Sequence, residues 1–342
     1  MGNPKKVVID LSKQGRDLLR RKRYAEAEQI FRDALELDET NVYILVGLGD
    51  LYRETKKFAD AIAFYEKVLE TDPKNIFALR GTGDAFRALQ KPEAAIPFWT
   101  RALECNPKDI HIMTRLADAF MKTGETEESE KYYLAALELD AQDKYALVGI
   151  GNLYYKTGQD VKALIYFERF LVQDERYVAV LTMVGNIYRR QKDFERAVLH
   201  FEKALEQEPG NAFALYGIGD CHRWMKNYDK AISWWLKLLE KEPGNQVVHS
   251  RVGDAYFNLG DLEKAMEHYQ LSLKAGFELY AMLGVAAIFR QQQRFAEAEA
   301  SCREILNRVP NHYRAQTELI EVFEAMGETD KAEGIRSQLK AQ

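Results

Sequence analysis

The sequence predicts an all-α protein: a right-handed α-α superhelix, or solenoid, of about ten helix-turn-helix repeats. Two observations predict it. A small residue followed three positions later by an aromatic, as Gly49 and Tyr52, recurs with a spacing of 34 residues. An alanine followed four positions later by an aromatic, as Ala61 and Tyr65, comes a dozen residues after it. Spacings of three and four place both patterns on helix faces.

Each repeat is expected to hold two helices. The small residue of the first helix lets a partner backbone approach, and the aromatic one turn later fills the space beside it. Turn residues such as Gly124 separate the two helices. Prolines such as Pro73 and Pro107 follow the second helix, because proline stops a helix.

The repeats follow a short N-terminal segment at 1–7. One repeat is a residue short near Gly276, and Pro97 is expected to lie inside a helix and kink it. The polar last helix, with Arg336, is expected to cap the open end. We place the repeats at 8–41, 42–75, 76–109, 110–143, 144–177, 178–211, 212–245, 246–278, 279–312 and 313–342.

This pattern resembles the tetratricopeptide repeat (TPR) family over about residues 8–342. The resemblance implies a single array whose first helices line a concave groove that binds another protein or peptide. It also implies that the second, fifth, sixth, ninth, twelfth and thirteenth positions of each first helix face the groove.

Those groove positions carry 15 bases, among them Arg251, Arg290 and Arg314, and 9 acids, in a chain whose net charge is −5. A basic lining in an acidic chain favours an acidic or carboxylate-bearing ligand. The structural alternative is that these side chains pair along wet helix faces, as Asp50 can with Arg53.

The ninth position is acidic in most repeats but an amide at Asn152 and Asn186. Asparagine can both donate to and accept from a peptide backbone, arginine can hold a carboxylate, and aromatic rings can anchor a ligand. A neutral break in a structural ladder remains the alternative. We predict a peptide-binding groove at Tyr145, Asn152, Tyr155, Lys156, Met183, Asn186, Arg189, Arg190, Tyr216, Asp220, Arg223 and Trp224.

A second regularity links two positions of the first helix. Where the sixth residue is glycine, the second is a Tyr or Phe, as in Phe77 with Gly81; where the sixth is larger, as Arg115, it is not. We expect the glycine to make room for that ring, because helix side chains lean toward the N-terminus. From the third repeat the two types alternate, which indicates duplication of a two-repeat ancestor or recesses at every second repeat.

The sequence contains no P-loop, zinc-protease or serine-hydrolase motif. We therefore predict no catalytic residue, no metal site, no cofactor and no enzymatic activity. Cys105, Cys221 and Cys302 lie far apart and are expected to be buried thiols. His249 and His268 are expected to be structural.

The acidic pI of about 5.8 argues against general nucleic-acid binding. No apolar run is long enough to span a bilayer, and none near the N-terminus has signal-peptide length. We expect a cytoplasmic protein, with the periplasm or the extracellular space as alternatives if a signal or anchor was removed. The basic first and acidic last repeats allow head-to-tail homo-oligomers.

Two other functions stay open at this point. The array could be the recognition arm of a larger enzyme or complex. It could also carry a small molecule or lipid inside a closed superhelix.

Overall fold

The computed structural model of the chain describes residues 4–340, which contain helices and no β-strand. In chain order the helices are α1 (Pro4–Arg20), α2 (Tyr24–Leu37), α3 (Val42–Glu54), α4 (Phe58–Thr71), α5 (Ile76–Ala88), α6 (Pro92–Cys105), α7 (Ile110–Thr123), α8 (Thr126–Leu139), α9 (Lys144–Lys156), α10 (Asp160–Leu171), α11 (Val178–Arg190), α12 (Phe194–Gln207), α13 (Ala212–Trp224), α14 (Tyr228–Lys241), α15 (Gln246–Leu259), α16 (Leu262–Lys274), α17 (Leu279–Gln291), α18 (Phe295–Arg308), α19 (Tyr313–Ala325) and α20 (Thr329–Lys340).

Consecutive helices pack as pairs, from α1 with α2 to α19 with α20. The predicted fold class, an all-α solenoid of helix-turn-helix repeats, is confirmed. The pairs form two compact units: α1 to α10, up to Gln173, and α11 to α20, from Asp174 onward. The predicted N-terminal segment 1–7 lies partly outside the described residues, and from Pro4 onward it belongs to α1.

The turn inside each pair passes through one residue with positive φ. Four of these residues are glycine, including Gly124 with φ of 88°. The other six are lysine or glutamine, with φ between 59° and 63°. A side chain with a Cβ is strained in this left-handed region. The turn therefore imposes its geometry even where the sequence does not supply glycine.

Caps and prolines set the ends of many helices. The Asn75 side chain accepts a hydrogen bond from the backbone N–H of Ala78 at 3.1 Å and so caps the start of α5. The preceding helix ends at Thr71, just before Pro73. Pro97 lies inside α6, as predicted, and the helix continues beyond it to its end.

A large ring from most second helices is buried against two first helices. The ring of fully buried Tyr65 is so close that a Cβ on Gly49, in its own repeat, would lie 2.5 Å away. A Cβ on Gly81, in the next repeat, would lie 2.3 Å away. Equivalent contacts join Phe31, Tyr133, Phe201 and Tyr269 to Gly47, Gly149, Gly217 and Gly284.

The sixth-position glycine thus makes room for a ring from the preceding repeat. The expectation that it makes room for the second-position aromatic of its own helix is wrong. Phe77, the second-position partner of Gly81, is 67% exposed.

Where the buried ring is an indole, the next repeat has arginine at the sixth position. Trp99 precedes Arg115, and Trp235 precedes Arg251. The first helices come closest at pairs such as α3 with α5 and α11 with α13, and less close at α5 with α7 and α13 with α15. Because protein interiors are close-packed, the larger side chains hold those helices apart.

The cysteines divide into two environments. Cys221 and Cys302 are buried, and burial raises the pKa of each thiol to about 12. Cys105 is exposed, so the expectation of burial was wrong there. It is the last residue of α6.

Candidate functional site

Most ninth-position aspartates are held by a hydroxyl of their own repeat. The tyrosine–aspartate pairs are Tyr65–Asp50, Tyr133–Asp118 and Tyr269–Asp254. The oxygen–oxygen distance is 2.7 Å in the first pair and 2.9 Å in the third. Burial, assisted by the aspartate, raises the pKa of all three tyrosines, which therefore remain donors.

The two ninth-position amides accompany phenylalanine. Asn152 shares its repeat with buried Phe167, and Asn186 shares its repeat with buried Phe201. A phenyl ring offers no hydroxyl to a carboxylate, and a buried carboxylate without a donor is unfavourable. The two phenylalanines thus supply a packing reason for an amide in place of an acid at these positions.

Asp84 and Asp220 share their repeats with an indole and are held by arginines instead. In the second compact unit, Asp220 accepts from Arg189 Nη1 at 2.5 Å and from Arg223 Nη2 at 2.8 Å. Arg189 Nη2 also donates to Asn186 Oδ1 at 3.2 Å. The aspartate side chain is only 6% exposed, so this carboxylate is held in place by the two arginines.

A recess of about 670 Å³ opens beside this cluster, on α13, α15, α17 and α19. It begins at the wider gap between α13 and α15. Its wall also contains Trp224, 57% exposed, and Tyr280, 42% exposed. The guanidinium of Arg251 lies 5.5 Å from the centroid of the Tyr280 ring. The charged residues of the wall include Arg223, Arg251, Arg290, Arg314, Asp254, Glu318 and Glu321.

The arginines of the recess differ in how fully they are paired. Arg290 is held by Glu318 and Glu321, each at 2.7 Å. Arg251 is held more loosely: it contacts Asp254 at 3.5 Å and interacts with the hydroxyl of Tyr216. Exposed Arg314 has no carboxylate partner among residues 4–340. Arg251 and Arg314 therefore keep donors for an anionic group of a ligand.

The predicted site residues divide between the two compact units. Tyr145, Asn152, Tyr155 and Lys156 lie on α9 in the first unit, and the other eight lie on α11 and α13 in the second. Of the twelve, Arg223 and Trp224 line the recess. Tyr145 is 75% exposed. In the second unit the structure brings together Asn186, Arg189, Asp220 and Arg223.

The sequence missed part of the recess. Arg251 and Arg314 were counted among basic groove positions but not in the predicted site, and Tyr280 was not singled out as a ligand contact. The signal that could have found them is an indole followed by arginine at the sixth position of the next repeat. This indole–arginine pattern coincides with a wider gap between two first helices.

Two histidines that the sequence left separate are in contact. His249 Nδ1 lies 3.1 Å from His268 Nδ1, and His249 Nε2 lies 3.0 Å from the carbonyl oxygen of Pro243. A carbonyl only accepts, so the Nε2 atom of His249 donates to Pro243. Burial, with His249 as a further cause, lowers the pKa of His268.

Within residues 4–340, no three His, Cys, Asp or Glu side chains are grouped as a metal ion would require. In the same range, every helix is too short or too polar to cross a bilayer.

Comparison with known proteins points to one family. Two family models, each described as "Tetratricopeptide repeat", match residues 18–81 with 188–234 and residues 114–177 with 253–313. No curated protein matches significantly.

Solved structures with TM-scores above 0.5 agree on the fold. A tetratricopeptide repeat protein from Parabacteroides merdae is 19% identical, with a TM-score of 0.53, over 72% of this chain and 98% of that one. PilF of Pseudomonas aeruginosa is 18% identical, with a TM-score of 0.52, over 61% and 95%. YrrB, described as a TPR protein with an unusual peptide-binding site, is 23% identical over 54% and 95%, with a TM-score of 0.49.

Proposed function

Because the chain belongs to the tetratricopeptide repeat family, whose members generally serve as protein–protein interaction scaffolds, we propose that it is a non-catalytic scaffold for a carboxylate-bearing segment of another protein. The segment binds along the first helices of the second compact unit. The recess on α13, α15, α17 and α19 carries the proposal, because its arginines are not all paired.

Two kinds of contact support this choice of ligand. Arg251 and Arg314 can each donate two parallel hydrogen bonds to a carboxylate. Trp224 and Tyr280 offer exposed rings beside those charges, and aromatic side chains are the usual anchors of protein interfaces. A segment that alternates acidic and apolar side chains would use both.

The composition of the wall favours a peptide over a lipid or a small apolar molecule. Pockets for such molecules are mostly apolar with a few polar groups. This wall instead contains four arginines and three carboxylates. A role as the recognition arm of a larger enzyme or complex would use the same surface.

The test uses the intact chain labelled with 5-fluorotryptophan. The probe is an acetylated, amidated decapeptide of alternating glutamate and leucine, and the control peptide has lysine for glutamate. Trp224 reports the recess, while Trp234, on α14, lies outside its lining and serves as the reference signal. We expect the glutamate peptide to shift the Trp224 resonance and the lysine peptide to leave it in place.

A double variant, Arg251→Gln with Arg314→Gln, should weaken this binding at least tenfold, because each charge-assisted hydrogen bond contributes about 1.5–3 kcal/mol. The matched control is Lys203→Gln, an exposed lysine on α12, which should not change it. Equal binding of the two peptides, or of the double variant and the unchanged chain, would contradict the proposal.

A further inference from the structure

A second, smaller recess lies in the first compact unit. It has a volume of about 90 Å³ and lies where α5 and α7 are held apart. Six of its lining positions recur 136 residues later, four repeats on, in the wall of the larger recess: Arg87, Gln90, Pro92, Arg115, Asp118 and Lys122 correspond to Arg223, Lys226, Tyr228, Arg251, Asp254 and Asn258.

The charged centre beside this recess repeats as well. Asp84, whose side chain is 11% exposed, accepts from Arg115 Nη1 at 2.9 Å and from Arg53 Nη1 at 3.4 Å. Arg87 lies one helical turn from Asp84 and has no carboxylate partner among residues 4–340. Arg53 and Arg115 thus hold Asp84, with Arg53 also contacting Asp50, while Arg87 has no carboxylate partner among the described residues.

The second compact unit also has one aspartate that holds two of three nearby arginines, but the arginine that is not held occupies a different position. There Asp220 holds Arg189 and Arg223, and the arginine that it does not hold is Arg251, whose carboxylate contact is with Asp254 at 3.5 Å. Arg251 corresponds in position to Arg115, which in the first unit is one of the two held arginines. Each centre therefore has one arginine that its central aspartate does not hold, Arg87 in the first unit and Arg251 in the second.

In the lining of the first recess, basic side chains outnumber acidic ones: Arg87, Arg115 and Lys122 lie there with one carboxylate, Asp118. The pKa of Arg115 is lowered, chiefly by burial and also by Arg87, Arg80 and Arg53, although Asp84 opposes the shift. A ligand carboxylate placed there would relieve this repulsion. Tyr145, on the first helix that follows α7, is 75% exposed and corresponds in position to Tyr280 of the larger recess.

An indole marks both places. Trp99 and Trp235 are fully buried at equivalent positions of their repeats, and in each case the next first helix stands further away. The same cause, a wide ring followed by an arginine, opens both recesses. Repeats with a smaller buried ring and a sixth-position glycine have close helices instead.

We propose that the chain carries two equivalent carboxylate-binding sites, one in each compact unit, and binds two copies of the acidic segment at once. The inference rests on the proposed function, which requires only the larger recess. It adds the site at Arg87 and Arg115 and a stoichiometry of two segments per chain.

The experiment uses the intact fluorotryptophan-labelled chain and the same glutamate–leucine decapeptide. Calorimetry counts the peptides bound, Trp99 reports the first recess, and Trp224 reports the second. We expect two peptides per chain and shifts of both resonances. Arg87→Gln should weaken the Trp99 response at least tenfold and leave the Trp224 response unchanged; Arg251→Gln should do the reverse.

Two further variants separate charge from folding. Arg87→Lys keeps the charge and should retain most of the Trp99 response. Lys67→Gln removes an exposed charge on α4 and should change neither site. One peptide per chain, with Trp99 silent or indifferent to Arg87→Gln, overturns the second site while the proposed function stands. No binding of the peptide at either recess overturns both.

Discussion

Replacing Gly81 by alanine tests the packing that organises the array. The new Cβ would lie 2.3 Å from Cζ of Tyr65 and 2.6 Å from its Cε2. The ring cannot retreat, because the Gly49 backbone presses on its other side and its hydroxyl is bonded to Asp50 at 2.7 Å. Overpacking of this kind costs up to about 3 kcal/mol, and alanine regains about 1 kcal/mol of helix propensity.

We therefore expect Gly81→Ala to lower the free energy of unfolding by about 2 kcal/mol. The measurement is a urea titration followed by far-UV circular dichroism. Gly244→Ala is the matched control, since nothing lies within 4 Å of its Cβ, and it should change stability by less than about 0.5 kcal/mol. Equal midpoints for the two variants would refute the packing account.

Second-site changes separate the two explanations of this glycine. In a Tyr65→Leu background the ring is gone, so Gly81→Ala should become neutral or stabilising. In a Phe77→Ala background the loss should remain, because Phe77 is exposed and does not fill that space. Rescue by Phe77→Ala but not by Tyr65→Leu would restore the interpretation based on the sequence of one helix.

Three further predictions concern the turns within the helix pairs, the pKa of His268 and the hydroxyl of Tyr269. Lys56→Gly should stabilise the chain by about 0.5–1 kcal/mol in thermal unfolding, because φ is 60° there, whereas Gly124→Ala should destabilise it by about 1 kcal/mol. Burial lowers the pKa of His268 in the folded chain, so as the pH falls the unfolded chain takes up the proton first. The free energy of unfolding should therefore decrease as the pH drops below about 6.5. His268→Phe should flatten this pH dependence in denaturant titrations. Tyr269→Phe should cost about 1 kcal/mol by the same assay, and Asp254→Asn in the same chain should recover most of it.

The fold could be predicted because its signals lie within one repeat. The eighth-position glycine, such as Gly49, and the alanine and ring of the second helix recur at fixed spacing, and the structure places them in contact. The positions of the prolines, after the second helices and, for Pro97, inside α6, could also be predicted, because proline affects the helix in which it lies.

The failures share a physical cause: the deciding partner lies in another repeat or helix. Gly81 was assigned to the ring of its own helix, but it contacts Tyr65 of the preceding repeat. Nothing in the sequence shows that α15 and α16 bring His249 and His268 into contact. The expectation that Cys105 is buried follows from the average burial of cysteine. That average takes no account of its position as the last residue of α6, where it is exposed.

Contacts between neighbouring repeats also bear on where charged residues are available to bind a ligand. The buried rings of most second helices are associated with particular residues on the first helices around them. The tyrosines accompany an aspartate at the ninth position of their repeat; Phe167 and Phe201 accompany an asparagine, whereas Phe31 accompanies Arg16. An indole widens the gap to the next first helix, where arginine occupies the sixth position, and the ninth-position aspartate neutralises only part of the arginine cluster. Arg87 and Arg251, which the aspartates Asp84 and Asp220 do not hold, lie respectively in the repeat of a buried indole and in the repeat after one, and this links the proposed binding sites to Trp99 and Trp235.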